Sequence, residues 1–327
     1  MKTRTNHLLS QAAELYPFDT DTIHLISSTK YSPNDIYSFT KNNKENKGNK
    51  KYILRIATHS TDHLFRTVGE MEWLKFLHER GIPVSMPLPM KDGRLVVSLE
   101  FNNKYHAVCA FEKAKGSHFE RNNPKTWNQN VIENFGFVMG SMHRETKEFQ
   151  PSDKRYKRGE FDGGDIDGTD VLEKTFSQIP AIHEYANNLI PKLLALPKTK
   201  DTYGLIHNDL HPSNFLVKNN KIHVFDFDDS IYGYFALDIG IALQHALHNA
   251  DDQQDAEKII LYFMKSYKSA NILDEQSLKS VLPFMKYRQL CNFAWCYPDN
   301  VTKNEQENIL NGLTTNGYLI DENLFLK

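Results

Sequence analysis

The 327-residue sequence has few cysteines, little net charge and no long apolar run. Its three cysteines, Cys109, Cys291 and Cys296, are odd in number and lack metal-site spacing, which favours a reducing cytoplasm over a disulfide-bonded fold. A formal net charge of −2 offers no electrostatic basis for binding nucleic acid. No apolar run approaches the ~20 residues that span a membrane, and the amino terminus lacks the apolar core of a secretory signal. We therefore expect a cytoplasmic protein without nucleic-acid or membrane partners.

Short apolar runs alternate with polar turns between Tyr203 and Gly240. Residues 207–214 read HNDLHPSN, and an apolar run, Ile222–Phe225, leads into the turn DFDD at residues 226–229. This alternation predicts a catalytic loop, a hairpin and a metal-binding turn.

The spacing of the polar residues in this stretch suits phosphoryl transfer. That reaction needs a carboxylate to accept a hydroxyl proton, and divalent ions to neutralise the phosphates. Asp209 would be the proton acceptor. Asn214 and Asp226 would supply oxygen ligands to Mg²⁺, which is usually held by one or two protein ligands together with substrate phosphates. The order D-x-x-x-x-N followed by an Asp-Phe turn is the kinase arrangement.

Three separated blocks resemble the aminoglycoside phosphotransferase and choline kinase group. They are residues 207–214, Asp226-Phe227-Asp228 and Asp238-Ile239-Gly240. Asn208 and Ser213 stand where the family pattern has glycine, and asparagine is the residue other than glycine that best tolerates a positive φ. The resemblance also implies that Asp238 ties the start of its helix back to the backbone of the catalytic loop.

The same residues can also be interpreted as zinc ligands or as ordinary turn residues. His207 and His211 have the spacing of zinc ligands on a helix, but Pro212 argues against such a helix. Asp226 and its acidic neighbours could simply cap a strand and a turn, where aspartate is common. The presence of Asp209 and Asn214 upstream favours the catalytic interpretation.

The resemblance implies an α+β, bilobal protein-kinase-like fold. Its small N-terminal lobe would be a five-stranded antiparallel sheet with one helix, and its larger C-terminal lobe would be mainly helical. The expected boundaries are 1–110 for the nucleotide-binding lobe, 111–116 for a hinge and 117–327 for the catalytic and substrate-binding lobe. Apolar runs predict strands near residues 23–27, 36–40, 52–56, 95–99 and 105–111, with a helix at 61–80.

The nucleotide-binding residues follow from the same resemblance. Arg55, on the third strand, matches the phosphate-binding lysine of protein kinases, and Glu70 is the favoured partner for it over Glu72. By strand alternation, Leu54 and Ile56 face away from Arg55. Ser32 and Asn34, in the first strand connection, are candidate phosphate contacts, although an ordinary hairpin turn would explain that segment equally well.

The C-terminal part carries predicted helices and one long polar loop. We expect His143 to be a packed core histidine, residues 149–169 to form a substrate-side flap, and prolines 180 and 191 to interrupt the helical pattern that follows. Arg288, Asn292 and Trp295 share one helix face and could wall the acceptor pocket, although Trp295 could equally be core.

These observations predict an ATP- and Mg²⁺-dependent phosphotransferase. Its acceptor would be a hydroxyl of a small molecule resembling an aminoglycoside, choline or homoserine. The alternatives are a catalytically silent nucleotide-binding module and a kinase acting on protein serine or threonine. The absence of a long activation loop with an APE segment disfavours the protein kinase.

Overall fold

The computed structural model describes residues 2–16, 20–28, 34–40, 50–59, 61–163, 179–296, 302, 304 and 318–327. The chain divides into two compact units, one made of residues 1–115 with 149–158 and the other of residues 116–148 with 159–327. Within the described ranges, no helix combines the length and the apolar character needed to cross a membrane.

An antiparallel five-stranded sheet forms the first unit, as predicted. Its strands are β1 (His24–Ser28), β2 (Asn34–Thr40), β3 (Lys51–His59), β4 (Val96–Phe101) and β5 (Lys104–Glu112). They lie in the order β1-β2-β3-β5-β4, and every neighbouring pair is antiparallel. The sheet thus places β3, which carries Arg55, at its centre.

The two faces of this sheet have different partners. Helix α1 (Lys2–Leu15) covers one face, where its apolar residues pack with alternate residues of the strands, including Leu54 and Ile56. Helix α2 (Thr61–Glu79) contributes Glu70, which reaches Arg55 on the opposite face. The strand alternation read from the sequence is therefore confirmed.

Residues 149–158 pack against α2 and belong to the first unit, whereas the sequence suggested a substrate-side flap of the C-terminal lobe. Glu72 accepts hydrogen bonds from the backbone N–H and the hydroxyl of Ser152. The carbonyl oxygen of Tyr156 lies so close to Gly69 that a Cβ there would collide with it. Glycine at position 69 is thus needed for this close approach. Residues 164–169 of the predicted flap lie outside the described residues.

The second unit contains two small sheets and the remaining helices. Its strands are β6 (Ser117–His118), β7 (Tyr203–Ile206), β8 (Phe215–Lys218), β9 (Lys221–Val224) and β10 (Ile231–Tyr234). One sheet pairs β10 with β7, and the other has the order β6-β8-β9. The helices are α3 (Gln129–Thr146), α4 (Pro180–Leu194), α5 (Phe235–Leu247), α6 (Gln253–Ala270), α7 (Glu275–Lys279) and α8 (Val281–Cys296).

Helices α3 and α6 pack closely because glycine faces their contact. A Cβ on Gly136 would collide with the carbonyl oxygen of Phe263, and one on Gly140 with that of Tyr267. The interruption predicted at Pro191 is wrong, since α4 starts at Pro180 and continues past Pro191 to Leu194. Pro191 has no N–H to donate to the carbonyl oxygen four residues earlier, so the helix continues through it with one backbone hydrogen bond fewer.

Candidate functional site

The chain makes a sharp turn at Asn208, directly after β7. Asn208 has φ +67°, the left-handed conformation that the sequence anticipated there. The backbone N–H groups of His207 and Asn208 donate to the two carboxylate oxygens of Asp238, at 3.1 and 2.8 Å. Asp238 lies in the first turn of α5. Its implied role of tying this helix to the loop backbone is confirmed.

His143 supports Asp238 from α3 and is fully buried, as predicted for a packed core histidine. Its Nε2 lies 3.0 Å from Oδ2 of Asp238, and its Nδ1 lies 2.8 Å from the hydroxyl of Tyr267. The ring also stacks on Phe235, with 4.6 Å between centroids. A buried network of this kind holds the loop in one position.

His207 connects the loop to the end of β9. Its Nε2 lies 3.1 Å from the carbonyl oxygen of Phe225, while its Nδ1 accepts the N–H of Asp209 at 3.3 Å. Nε2 therefore carries the proton and donates it. Burial lowers the pKa of His207, which keeps the ring neutral. With both nitrogens engaged, His207 is not available as a zinc ligand.

Asp209 is held from three sides. Its Oδ1 accepts a hydrogen bond from Nη2 of Arg288 at 2.5 Å, and its Oδ2 accepts one from Nδ2 of Asn214 at 3.0 Å. Nε2 of His211 lies 3.4 Å from the same Oδ2. Burial acts to raise the pKa of Asp209, but His211 and the charge of Arg288 outweigh it and hold that pKa well below its usual range. The carboxylate is therefore ionised and fixed in orientation.

Asn214 and Asp226 are brought together by a backbone contact. Asn214 ends a 3₁₀ turn, Pro212–Asn214, and its carbonyl oxygen accepts the N–H of Phe225 at 3.0 Å. Asp226 comes next in the chain, is exposed, and has φ +67°. Within the described residues, Oδ1 of Asn214 accepts no hydrogen bond, because only its Nδ2 is engaged. An amide oxygen and an exposed carboxylate at adjoining positions fit the oxygen preference of Mg²⁺.

Arg288 is the site residue that the sequence placed near the pocket without identifying its contact. It is 4% exposed. Its Nε donates to Nε2 of His245 at 3.4 Å, and its guanidinium lies 4.9 Å from the ring centre of Trp295. A buried arginine needs a carboxylate partner. No signal in the sequence identified this contact, because α8 also carries Lys286 and Asn292 and its pattern does not separate a buried arginine from an exposed one.

The first unit contains the predicted ion pair between Arg55 and Glu70. Glu70 accepts hydrogen bonds from both terminal nitrogens of Arg55, at 3.0 and 2.5 Å, and both side chains are buried. The expected preference for Glu70 over Glu72 therefore holds in the geometry. Asn34 is the first residue of β2, whereas Ser32 lies outside the described residues.

The first unit has a five-stranded antiparallel sheet with a central Arg–Glu pair, and the second carries Asp209, Asn214 and the Asp-Phe turn. These features define a phosphotransferase of the protein-kinase-like class. Comparison of the sequence with known protein families identifies the family within this class. The model of the phosphotransferase enzyme family APH matches residues 34–273, and the chain belongs to this family.

Individual kinases resemble the chain in sequence and in structure. The chain is 32% identical over 297 residues to amicoumacin kinase of Bacillus subtilis (strain 168), covering 86% of this chain and 82% of that protein. A solved amicoumacin kinase, hAmiN, in complex with AMP-PNP, Ca²⁺ and Ami, has a TM-score of 0.82 at 26% identity over 97% of this chain and 96% of its own. A microcompartment-associated aminopropanol kinase shares the fold, with a TM-score of 0.69 at 20% identity over 96% and 99% of the two chains. The protein is a small-molecule kinase.

Proposed function

We propose that the protein transfers the γ-phosphoryl group of ATP, with Mg²⁺, to a hydroxyl of amicoumacin or a related small molecule. The relative from Bacillus subtilis, an amicoumacin kinase, supports this acceptor. The observation that carries the proposal is the carboxylate of Asp209, which accepts a hydrogen bond from Asn214, whose own backbone pairs with the residue before the Asp-Phe turn. The cytoplasm, where ATP and Mg²⁺ are abundant, is the compartment that this activity implies.

Asp209 acts on the acceptor hydroxyl. Its carboxylate accepts the hydroxyl proton as the acceptor oxygen forms a bond to the γ-phosphorus. The bond from that phosphorus to the β–γ bridging oxygen breaks, and ADP leaves with the electron pair. In a loose transition state little proton transfer is needed before bond cleavage, so a carboxylate with a low pKa still suffices, provided that it orients the hydroxyl.

The remaining site residues bind the nucleotide and its metal. Asn214 and Asp226 would hold Mg²⁺, which neutralises charge on the phosphates. Arg55 would grip phosphate oxygens with its planar guanidinium, kept in place by Glu70. Asn34 and Ser32 are proposed as further phosphate contacts.

The test is a transfer assay with ATP, Mg²⁺ and amicoumacin A, read by mass spectrometry of the acceptor. Asp209→Asn keeps the side chain's size but removes its basic oxygen, so kcat should fall by roughly 10²- to 10⁴-fold while ATP binding, measured by calorimetry, stays unchanged. Asp251→Asn makes the same change at an exposed residue and should leave kcat as it is. A kcat for Asp209→Asn within tenfold of the parent would contradict the mechanism.

A second measurement addresses the metal. Asp226→Ala should abolish the part of ATP affinity that depends on Mg²⁺ and leave affinity measured in EDTA unchanged. An unaltered Mg²⁺ dependence would remove Asp226 from the proposed ligands. Nucleotide binding without transfer to amicoumacin A or any other hydroxyl compound would indicate the silent nucleotide-binding module instead.

A further inference from the structure

Two of the three guanidinium nitrogens of Arg288 make hydrogen bonds with described residues, and the third makes none. Nη2 donates to Oδ1 of Asp209 and Nε donates to His245. Nη1 is buried and makes no hydrogen bond with any described residue. Buried donors are almost always paired, and an unpaired one in a native protein calls for an explanation. Here the unpaired donor belongs to the same planar group that contacts the proposed base.

The charge around Nη1 selects what could pair with it. The neighbouring ring of His245 is neutral, because burial, together with Arg288 and His211, lowers the pKa of His245 to about 2. Trp295 presents its ring to the guanidinium. Since Nη2 already neutralises Asp209, an acceptor ammonium placed here would meet the Arg288 cation, while a carbonyl or carboxylate oxygen would be attracted to it.

The rigid shape of the guanidinium sets the spacing. Nη1 and Nη2 are bonded to the same carbon and lie side by side in one plane. Nη2 contacts Asp209 directly, so an oxygen bound by Nη1 would lie close to a hydroxyl bound by Asp209, and one acceptor can supply both groups. The carbonyl carbon would be attached to the carbon that bears the hydroxyl or lie one bond further away.

We propose that Arg288 is a specificity-determining residue, whose Nη1 binds a carbonyl or carboxylate oxygen of the acceptor adjacent to the hydroxyl held by Asp209. The inference rests on the proposed function and narrows its acceptor to hydroxy-amides, hydroxy-acids and their relatives. Simple amino alcohols, whose nearest substituent is an ammonium group, fit this position poorly.

Two small acceptors test the inference because they differ at one position. Lactamide and 1-amino-2-propanol have the same methyl group and the same secondary hydroxyl, but lactamide has a carbonyl where the other has a methylene beside its ammonium. We expect the parent enzyme, with saturating ATP and Mg²⁺, to show the higher kcat/KM for lactamide. Arg288→Met should lower the lactamide to aminopropanol ratio of kcat/KM by about 10- to 100-fold, the range for a hydrogen bond to a charged group.

The ratio is the decisive readout. A change in how Asp209 is oriented affects both acceptors alike and cancels, whereas loss of the Nη1 contact affects lactamide alone. Lys286→Met removes a cation from the same helix, two residues away and on another side of it, and should leave the ratio unchanged. If Arg288→Met does not fold, shown by a lost thermal transition, Arg288→Lys serves instead, because it keeps the charge but lacks the second donor of the fork.

The outcomes separate the two proposals. A parent enzyme that prefers 1-amino-2-propanol, or an Arg288→Met variant with an unchanged ratio, overturns the inference and leaves the phosphotransferase proposal intact. Transfer to hydroxyl compounds without a nearby carbonyl, but not to lactamide, also overturns it. An enzyme that transfers phosphate to no acceptor refutes both.

Discussion

Replacing Asp238 with asparagine tests whether this buried carboxylate holds the catalytic loop. Asp238 is fully buried and accepts three hydrogen bonds, from the backbone of His207 and Asn208 and from Nε2 of His143. Asparagine keeps the size of the side chain but offers one acceptor oxygen, and its NH₂ group would face a donor. In either orientation at least one N–H remains buried without a partner.

The expected loss in the free energy of unfolding follows from those bonds. A hydrogen bond to a charged group contributes about 1.5–3 kcal/mol, and a buried donor left unpaired costs about 1–3 kcal/mol. Asp238→Asn should therefore lower the free energy of unfolding by roughly 3–5 kcal/mol. Because the loop carries Asp209, kcat should also fall, and a displacement of about 1 Å is enough for a loss on the order of 10²-fold.

Chemical unfolding in urea, followed by circular dichroism, measures the stability, and the transfer assay measures kcat. Asp252→Asn is the matched control, because Asp252 is an exposed helix cap with one acceptor bond, and asparagine caps as well as aspartate. It should change stability by less than about 0.5 kcal/mol. Equal effects of the two substitutions would refute the assignment of Asp238 as the residue that orders the loop.

Two further predictions concern other groups. Glu70→Gln removes the carboxylate that both terminal nitrogens of the buried Arg55 contact, so the free energy of unfolding should fall by about 3–5 kcal/mol and the KM for ATP should rise. A variant with unchanged stability and KM would argue against the pair. His245 has a folded pKa of about 2, whereas in the unfolded chain it protonates near 6.5, so the unfolded state binds more protons below that pH. Stability should therefore fall by up to about 1.4 kcal/mol per pH unit from this residue as pH decreases below 6.5. His245→Asn should give a shallower decline between pH 6.5 and 5, and an equally steep one would show that His245 is not the cause.

Several features followed from the sequence because they depend on nearby residues. The five strands, the face of β3 that carries Arg55, and the left-handed turn at Asn208 are all set by alternation or by local backbone preference. The adjacency of Asn214 to Asp226 follows from a short hairpin, whose two strands return the chain to where it began. Such features need no knowledge of distant contacts. The catalytic and ligand roles of these residues remain predictions.

Only the tertiary structure decided which distant side chains meet. Arg288 reaches Asp209 from 79 positions later in the chain, and residues 149–158 pack on α2, where only a glycine at position 69 allows the approach. No periodicity encodes either contact, because both depend on how helices pack after the chain has folded. Residue spacing thus identified the proposed base of this kinase, while helix packing determined the cation beside it and hence the chemistry that we infer for its acceptor.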